Sequence, residues 1–186
     1  MPHIPLDENL PGITGILNYR LDAALPIRQL TQILLRGEST LTEGEREMIA
    51  AVVSNGNECK FCTAAHTAAA AVLMGEKETV EKVKQDISRA PVSAKMKALL
   101  TVAKATQENG RNVTPAMVAQ ARQAGATDRE LYDTVMIAAL FSLYNRLVDG
   151  LASVTPTEPA FYERLAHILK DKGYMPSADR YAGLTG

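Results

Sequence analysis

The sequence predicts an all-α fold, a helical bundle forming a single domain. Apolar residues recur at helical spacing along most of the chain, no segment shows the convincing alternation of a half-buried strand, and the 9 prolines lie mostly between predicted helices. With 186 residues, 46% of them hydrophobic, the chain is long enough for one well-buried core. We therefore expect one domain over residues 1–186, with an irregular N-terminal extension at 1–22 and an irregular tail at 173–186.

The first long helix is predicted from the segment PIRQLTQILLRG, where Leu30, Ile33 and Leu34 share a helical face and Gly37 provides a C-cap. A second helix should cover about 43–54. It begins with a capping-box pattern, a threonine followed three residues later by a glutamate in LTEGEREMIAAVVS.

A break at SNGN separates this helix from the next, and Asn57 is a suitable N-cap for the helix that follows. Cys59 would then lie in the first turn of a helix that continues to Gly75. Five further helices are predicted from KETVEKVKQDI, SAKMKALLTVAKATQEN, TPAMVAQARQAG, DRELYDTVMIAALFSLYNRLVDGLA and EPAFYERLAHILKDKG.

The charge composition restricts the class of partner. The formal net charge is -1, the isoelectric point is near 6.3, and no cluster of lysine and arginine stands out, so we expect no nucleic acid and no membrane as partner. No segment resembles a secretory signal or a membrane span, which predicts a cytoplasmic protein. In a reducing cytosol, a C-x-x-C motif is more often catalytic, redox-sensing or metal-binding than a structural disulfide.

Two segments of the chain are similar to each other. MIAAVVSNGN at 48–57 and MIAALFSLYN at 136–145 are identical at six of ten positions with an offset of 88 residues. The match has two interpretations, chance similarity between two alanine-rich buried helices or an internally duplicated helical hairpin. Only the first copy carries reactive side chains, because the offset pairs the two cysteines with Leu147 and Gly150.

The segment NECKFCTAAH contains both cysteines of the chain, Cys59 and Cys62, and the histidine His66. On a helix these three residues occupy positions i, i+3 and i+7, so they project from one face. A helix N-terminus favours thiolate over thiol, and His66 lies one turn beyond Cys62 and is placed to accept its proton. The spacing therefore predicts a reactive thiolate, with deprotonation favoured at Cys62.

Two other interpretations remain open on the residues alone. The cysteines could be small buried residues with no chemistry, or Cys59, Cys62, His66 and perhaps Glu47 could bind zinc. Zinc is less favoured, because structural sites usually take two separated pairs of ligands and here three ligands share two helical turns. Glu47, by composition alone, would be a solvated member of the EGERE charge run.

The spacing of these residues is more specific than a C-x-x-C motif. Glu47, Cys59, Cys62 and His66 form the pattern E-x11-C-x2-C-x3-H, which resembles the signature of the AhpD-like alkylhydroperoxidases in the carboxymuconolactone decarboxylase superfamily. The words LTEGEREMIAAVVSNGNECKFCTAAH and AALFSLYNRLVDGLA resemble the peroxidase-related branch of that family. The resemblance covers roughly residues 25–155.

The resemblance implies an AhpD-like helical bundle assembled as a homo-oligomer, a trimer or a hexamer, with a thiol peroxidase site and no haem, metal or other cofactor. It also implies a role for each residue of the pattern. Cys62 would be the peroxidatic thiol, Cys59 its resolving partner, His66 the base beside Cys62, and Glu47 the carboxylate that orients the proton network. The substrate would be a hydroperoxide, and an unidentified dithiol donor would reduce the resulting disulfide.

One position departs from the family pattern. Well-known members have a histidine between the two cysteines as a proton relay, and this chain has Phe61 there. Phenylalanine neither donates nor accepts a proton, so a relay would run through His66, Glu47 and water. Phe61 would instead pack in the core or line an apolar substrate pocket. Two alternative functions remain. The cysteines could form a non-enzymatic redox sensor, or the chain could be a carboxymuconolactone decarboxylase-like enzyme, as the resemblance implies for other branches of the superfamily.

Overall fold

The computed structural model of the chain describes residues 1–175, and over this range the backbone forms helices and no β-strand, which confirms the all-α prediction. A short 3-10 turn, Gly110–Asn112, separates two of the helices. The α-helices in chain order are α1 (Ile13–Tyr19), α2 (Leu21–Arg36), α3 (Glu43–Gly56), α4 (Lys60–Met74), α5 (Glu78–Gln85), α6 (Ala94–Glu108), α7 (Pro115–Gln123), α8 (Asp128–Gly150) and α9 (Pro159–Lys172). No helix in this range is long and apolar enough to cross a bilayer.

Hydroxyl side chains fix where several of these helices begin. Thr42 accepts a hydrogen bond from the backbone N–H of Glu45, whose carboxylate accepts in return from the backbone N–H of Thr42, so the predicted capping box of α3 is confirmed. The N-terminus of α8 carries a second capping box, between Thr127 and Glu130. Each box satisfies backbone donors that the first helical turn would leave unpaired.

Helix α3 lies at the centre of the bundle. It packs against α4, α6 and α8, and α4 in turn packs against α9. Every residue of α3 from Gly44 to Ser54 except Glu45 is buried, so this helix has little solvent-facing surface of its own. Glu47 lies among these buried residues and is itself 0% exposed.

The expectation that residues 1–22 are irregular is wrong for much of that segment. Residues 13–19 form α1, and α2 begins at Leu21. Gly12 precedes α1 with φ of 61°, and its backbone is tied to the loop after α8 by hydrogen bonds with Val154 and Ser153, both 2.8 Å. Helix α1 has no strong local signal, because a seven-residue helix with no side-chain cap depends on tertiary packing.

At the other end of the chain, residues 173–175 follow α9 without helical structure, as expected for the tail. The remainder of the predicted irregular tail, 176–186, lies outside the described residues.

The turn between α3 and α4 also differs from the prediction. Asn57 is the C-cap of α3 rather than the N-cap of α4, and Cys59 is itself the N-cap of α4 rather than a first-turn residue. The backbone N–H of Cys59 donates to the carbonyl of Ser54 at 3.1 Å, and Glu58 adopts a positive φ of 59°. The chain turns tightly between α3 and α4, so α4 begins at Lys60, one residue later than predicted.

The two similar segments meet in the structure. Asn57 donates its side-chain N–H to the Asn145 carbonyl oxygen at 2.8 Å and to Ser142 Oγ at 3.4 Å, while Asn145 donates to Ser54 Oγ at 3.1 Å. The pair Ser54 and Asn57, at the end of α3, therefore contacts the equivalent pair Ser142 and Asn145 of α8, and each asparagine donates to the serine of the other pair. The similarity does not continue as a second hairpin, because α3 ends at Gly56 whereas α8 runs on to Gly150.

Candidate active site

A mostly apolar cavity of about 50 Å³ lies between α1, α4, α8 and α9. Of the two cysteines, Cys62 lines it, together with His66 one helical turn away. The N-terminal helix forms part of the wall, so the segment expected to be an irregular extension helps to build the site. The other lining residues are Ile13, Thr14, Leu17, Arg28, Phe61, Ala65, Phe141, Tyr144, Leu165, Leu169 and Tyr174.

Glu47 and His66 form a buried pair beside this cavity. Glu47 Oε2 lies 2.6 Å from His66 Nδ1, and the imidazole ring packs edge-on against Phe141 with centroids 4.4 Å apart. Burial alone would raise the pKa of Glu47, but the charge and hydrogen bond of His66, helped by Arg36, hold that pKa at about 2. Because the carboxylate is ionised, Nδ1 is the donor in this hydrogen bond, and Nε2 is the ring nitrogen that Glu47 does not occupy.

Arg36 and Tyr174 complete the network around Glu47, and the sequence did not point to either. Arg36 Nη2 and Tyr174 Oη both donate to Glu47 Oε1 at 2.6 Å, and the guanidinium lies 5.1 Å from the centre of the Tyr174 ring. Burial, together with the neighbouring carboxylate, raises the pKa of Tyr174 well above its usual value, so this phenol stays protonated as a donor. Glu47 is therefore held by residues from α2, α4 and the segment after α9.

The two cysteines are free thiols, both buried, at the N-cap and in the first turn of α4. The pKa of Cys59 is lowered, chiefly by the Cys62 thiol and further by the Cys62 backbone N–H. The pKa of Cys62 is raised well above its usual value, because its proton is shared with Cys59 and because it is buried. This order is the reverse of the one expected from the proximity of His66 to Cys62, since the N-cap position favours negative charge on Cys59.

Phe61 contributes to both packing and the cavity wall. Its ring packs against Phe161 and Tyr162 with centroids 6.4 and 5.8 Å apart, and it also lines the cavity. The position of Gly12 is tied to this ring, because a side chain there would overlap Phe61 in addition to straining the positive φ. Phe61 therefore packs in the core and also lines an apolar cavity.

The zinc interpretation finds no support within residues 1–175, where no group of three or more histidine, cysteine, aspartate or glutamate side chains is arranged to hold a metal ion. Two of the four candidate ligands form a hydrogen bond with each other, His66 through Nδ1 and Glu47 through Oε2.

Residues 23–85, which include the whole E-x11-C-x2-C-x3-H pattern, match the carboxymuconolactone decarboxylase family. No curated protein sequence matches the chain significantly.

Two solved structures share the fold. An uncharacterized peroxidase-related protein from Silicibacter sp. TM1040 is 27% identical and superposes with a TM-score of 0.74, covering 82% of this chain and 78% of its own. An alkylhydroperoxidase AhpD core, an uncharacterized peroxidase-related protein from Ralstonia eutropha JMP134, is 25% identical with a TM-score of 0.75, covering 84% and 80%. In sequence over residues 23–85 and in fold over more than four fifths of its length, the chain resembles the AhpD-like, peroxidase-related proteins of the carboxymuconolactone decarboxylase superfamily.

Proposed function

We propose that the protein is a thiol-dependent peroxidase that reduces hydroperoxides through the Cys59 and Cys62 pair. One observation carries the proposal: Cys62 lines an apolar cavity together with His66, while Cys59 lies three residues earlier at the N-cap of the same helix. A thiol peroxidase needs one sulfur accessible to the peroxide and a second that can reach the first after oxidation.

In the first step Cys59, whose pKa is lowered, loses its proton to solvent. The Cys59 thiolate then takes up the proton of the neighbouring Cys62 thiol, which leaves the thiolate on Cys62. The Cys62 thiolate then attacks the nearer oxygen of the hydroperoxide, forming an S–O bond while the O–O bond breaks. Sulfur is oxidised to sulfenic acid, and the leaving alkoxide or hydroxide takes up a proton. His66 supplies that proton from Nε2, because Glu47 stabilises the protonated ring at Nδ1.

The second step closes the disulfide. Cys59 attacks the sulfenic acid sulfur, an S–S bond forms, and the hydroxyl group leaves as water. An outside dithiol reduces this disulfide by thiol exchange and returns both cysteines to their starting state. Substrates are thus a hydroperoxide and a dithiol, with no cofactor required by this chemistry.

A peroxide-consumption assay with a panel of dithiols tests this function. With a suitable donor, the wild-type protein should consume many equivalents of peroxide per subunit. Reaction with about one equivalent, whichever dithiol is supplied, would instead indicate a redox sensor that is oxidised once. Thr63→Ser, next to Cys62 in α4, serves as a matched control that leaves both thiols in place.

We further propose that the subunits form a homo-oligomer, a trimer or a hexamer. Large apolar side chains are exposed along one face of α2, at Leu21, Leu25 and Ile33, and a second set on α8 includes Tyr132 and Leu143. Exposed apolar residues at this density on single helices are typical of interfaces. Light scattering should give three or six times the 20.1 kDa subunit mass.

The interface prediction is tested by Leu25→Glu combined with Ile33→Glu, which should reduce the measured mass towards that of one subunit. Thr101→Glu, an exposed position on α6, is the control and should leave the mass unchanged. A wild-type protein that is monomeric at micromolar concentration would contradict the proposal.

A further inference from the structure

Thr14 of α1 is a buried residue of the cavity wall that the mechanism above does not use. It is 7% exposed, and it lines the cavity together with Cys62 and His66. Among residues 1–175 its hydroxyl has no hydrogen-bond partner. Because an unpaired buried hydroxyl costs free energy, a molecule that enters the cavity and accepts a hydrogen bond from Thr14 is favoured.

Two tyrosines also line the cavity, and the direction of a hydrogen bond from each hydroxyl is fixed. Tyr174 donates to Glu47. Thr31 donates its single hydroxyl hydrogen to the Ile27 carbonyl at 2.8 Å. Tyr144 Oη lies 2.5 Å from Thr31 Oγ1 and is therefore the donor in that hydrogen bond. Towards the cavity, the oxygen of Tyr144 acts only as an acceptor.

A hydroperoxide group matches a wall that offers one donor and one acceptor. Its terminal oxygen carries a hydrogen that it can donate, and both of its oxygens can accept. The cavity volume of about 50 Å³ is small beside the roughly 150 Å³ that holds a benzene ring, so a short-chain hydroperoxide would contact several walls at once. The mostly apolar lining suits a short alkyl group.

We propose that Thr14 is a substrate-binding residue, which holds a short-chain hydroperoxide between its own hydroxyl hydrogen and the acceptor oxygen of Tyr144. This inference rests on the proposed function, in which the Cys62 thiolate attacks the terminal peroxide oxygen. Tyr144 accepts from the hydrogen on that oxygen, and this hydrogen stays in place as the S–O bond forms and becomes the hydrogen of the sulfenic acid. Thr14 donates to the other oxygen, which leaves with the electron pair of the O–O bond and takes its proton from His66.

The experiment measures how fast ethyl hydroperoxide oxidises the thiols of the protein when no dithiol is supplied. Thr14→Val keeps the shape of the side chain and removes the hydroxyl, so it should slow this oxidation about tenfold. Thr14→Ser keeps the donor and should react at close to the wild-type rate. Thr134→Val is the matched control, because it also removes a buried hydroxyl that has no partner among the described residues, but one that does not line the cavity.

Alkylation of Cys62 by iodoacetamide, located by mass spectrometry, separates an effect on peroxide binding from an effect on the sulfur. Thr14→Val should leave this alkylation rate unchanged, since the hydroxyl acts on the peroxide. Oxidation of Thr14→Val protein at the wild-type rate, or an equal slowing towards both reagents, would overturn the inference. Thr14→Ser protein as slow as Thr14→Val protein would contradict it as well, because the hydroxyl would then make no difference.

A second variant covers the case in which Thr14→Val fails to fold. Tyr144→Phe removes the acceptor, and it should slow oxidation by ethyl hydroperoxide about fivefold while leaving alkylation unchanged. Oxidation at the wild-type rate in this variant would refute the two-sided binding.

The proposed function fails by a different result. If the wild type is oxidised once and no dithiol supports turnover, the protein is not a peroxidase, but the comparison of the Thr14 variants still decides the binding role. Wild-type thiols that do not react with ethyl hydroperoxide would overturn both proposals.

Discussion

Replacing Cys62 by Ser is expected to abolish peroxide reduction, a loss of at least about 10³-fold, because no sulfur then faces the cavity. Cys59→Ser should still react, but once per subunit, since the Cys62 sulfenic acid finds no resolving thiol. This burst should be slower than the first turnover of the wild type, because Cys59 is also the proposed base. The two variants are matched controls for each other, as each removes one thiol of the same buried pair.

Trapping with a dimedone-type reagent, followed by mass spectrometry, measures the outcome directly. The adduct should lie on Cys62 in Cys59→Ser protein and be absent from Cys62→Ser protein. Labelling of Cys59 in the Cys62→Ser protein, with no label at Cys62 in the other variant, would reverse the roles. The lowered pKa of Cys59 would then outweigh the access of Cys62 to the cavity.

Glu47→Gln should destabilise the fold by roughly 3 kcal/mol at pH 7, because Arg36 and His66 lose their buried counter-charge. It should also slow peroxide reduction, since the His66 ring would lose the carboxylate that stabilises its protonated form. Urea unfolding at fixed pH measures the first effect. Glu43→Gln is the matched control: its carboxylate is 3.6 Å from Arg36 Nε but 40% exposed, so little change is expected.

The pH dependence of stability gives an independent check. The folded-state pKa of Glu47 is depressed from 4.5 to about 2, so its contribution is fully present above pH 4.5 and is lost as the pH falls towards 2. That difference in pKa corresponds to roughly 3 kcal/mol. The wild type should therefore lose more stability than Glu47→Gln between pH 5 and about 2.5. Parallel stability curves for the two proteins would contradict the assigned ion pair.

The helical architecture was predictable because apolar periodicity and capping signals are local. The start of α3 was predicted from the capping box that begins it, and α8 begins with a box of the same kind. The common face of Cys62 and His66 follows from their spacing alone. Glu47 is different: among the charges of EGERE nothing local marks it as buried, and only the resemblance to a family singled it out.

Other parts of the site depend on contacts that local patterns do not encode. Tyr174 reaches Glu47 across 127 positions, and Arg36 ends a helix where a basic residue is ordinary. The relative pKa of the two thiols depends on a one-residue difference in the start of α4, which places Cys59 at the N-cap. Helix boundaries are uncertain by about that amount when read from sequence.

Ser54 and Asn57 form hydrogen bonds with Ser142 and Asn145, a pair of the same two residue types at the same spacing. Such a surface is its own complement, which is the property required where two identical subunits associate about a two-fold axis. Within this one chain the four side chains contact each other in a two-fold-like arrangement, but their further neighbours differ. Asn57, the C-cap of α3, also accepts a hydrogen bond from Gln107, which lies outside the two pairs. The two similar segments therefore share one polar contact, although the chain turns after the first and continues as a helix after the second.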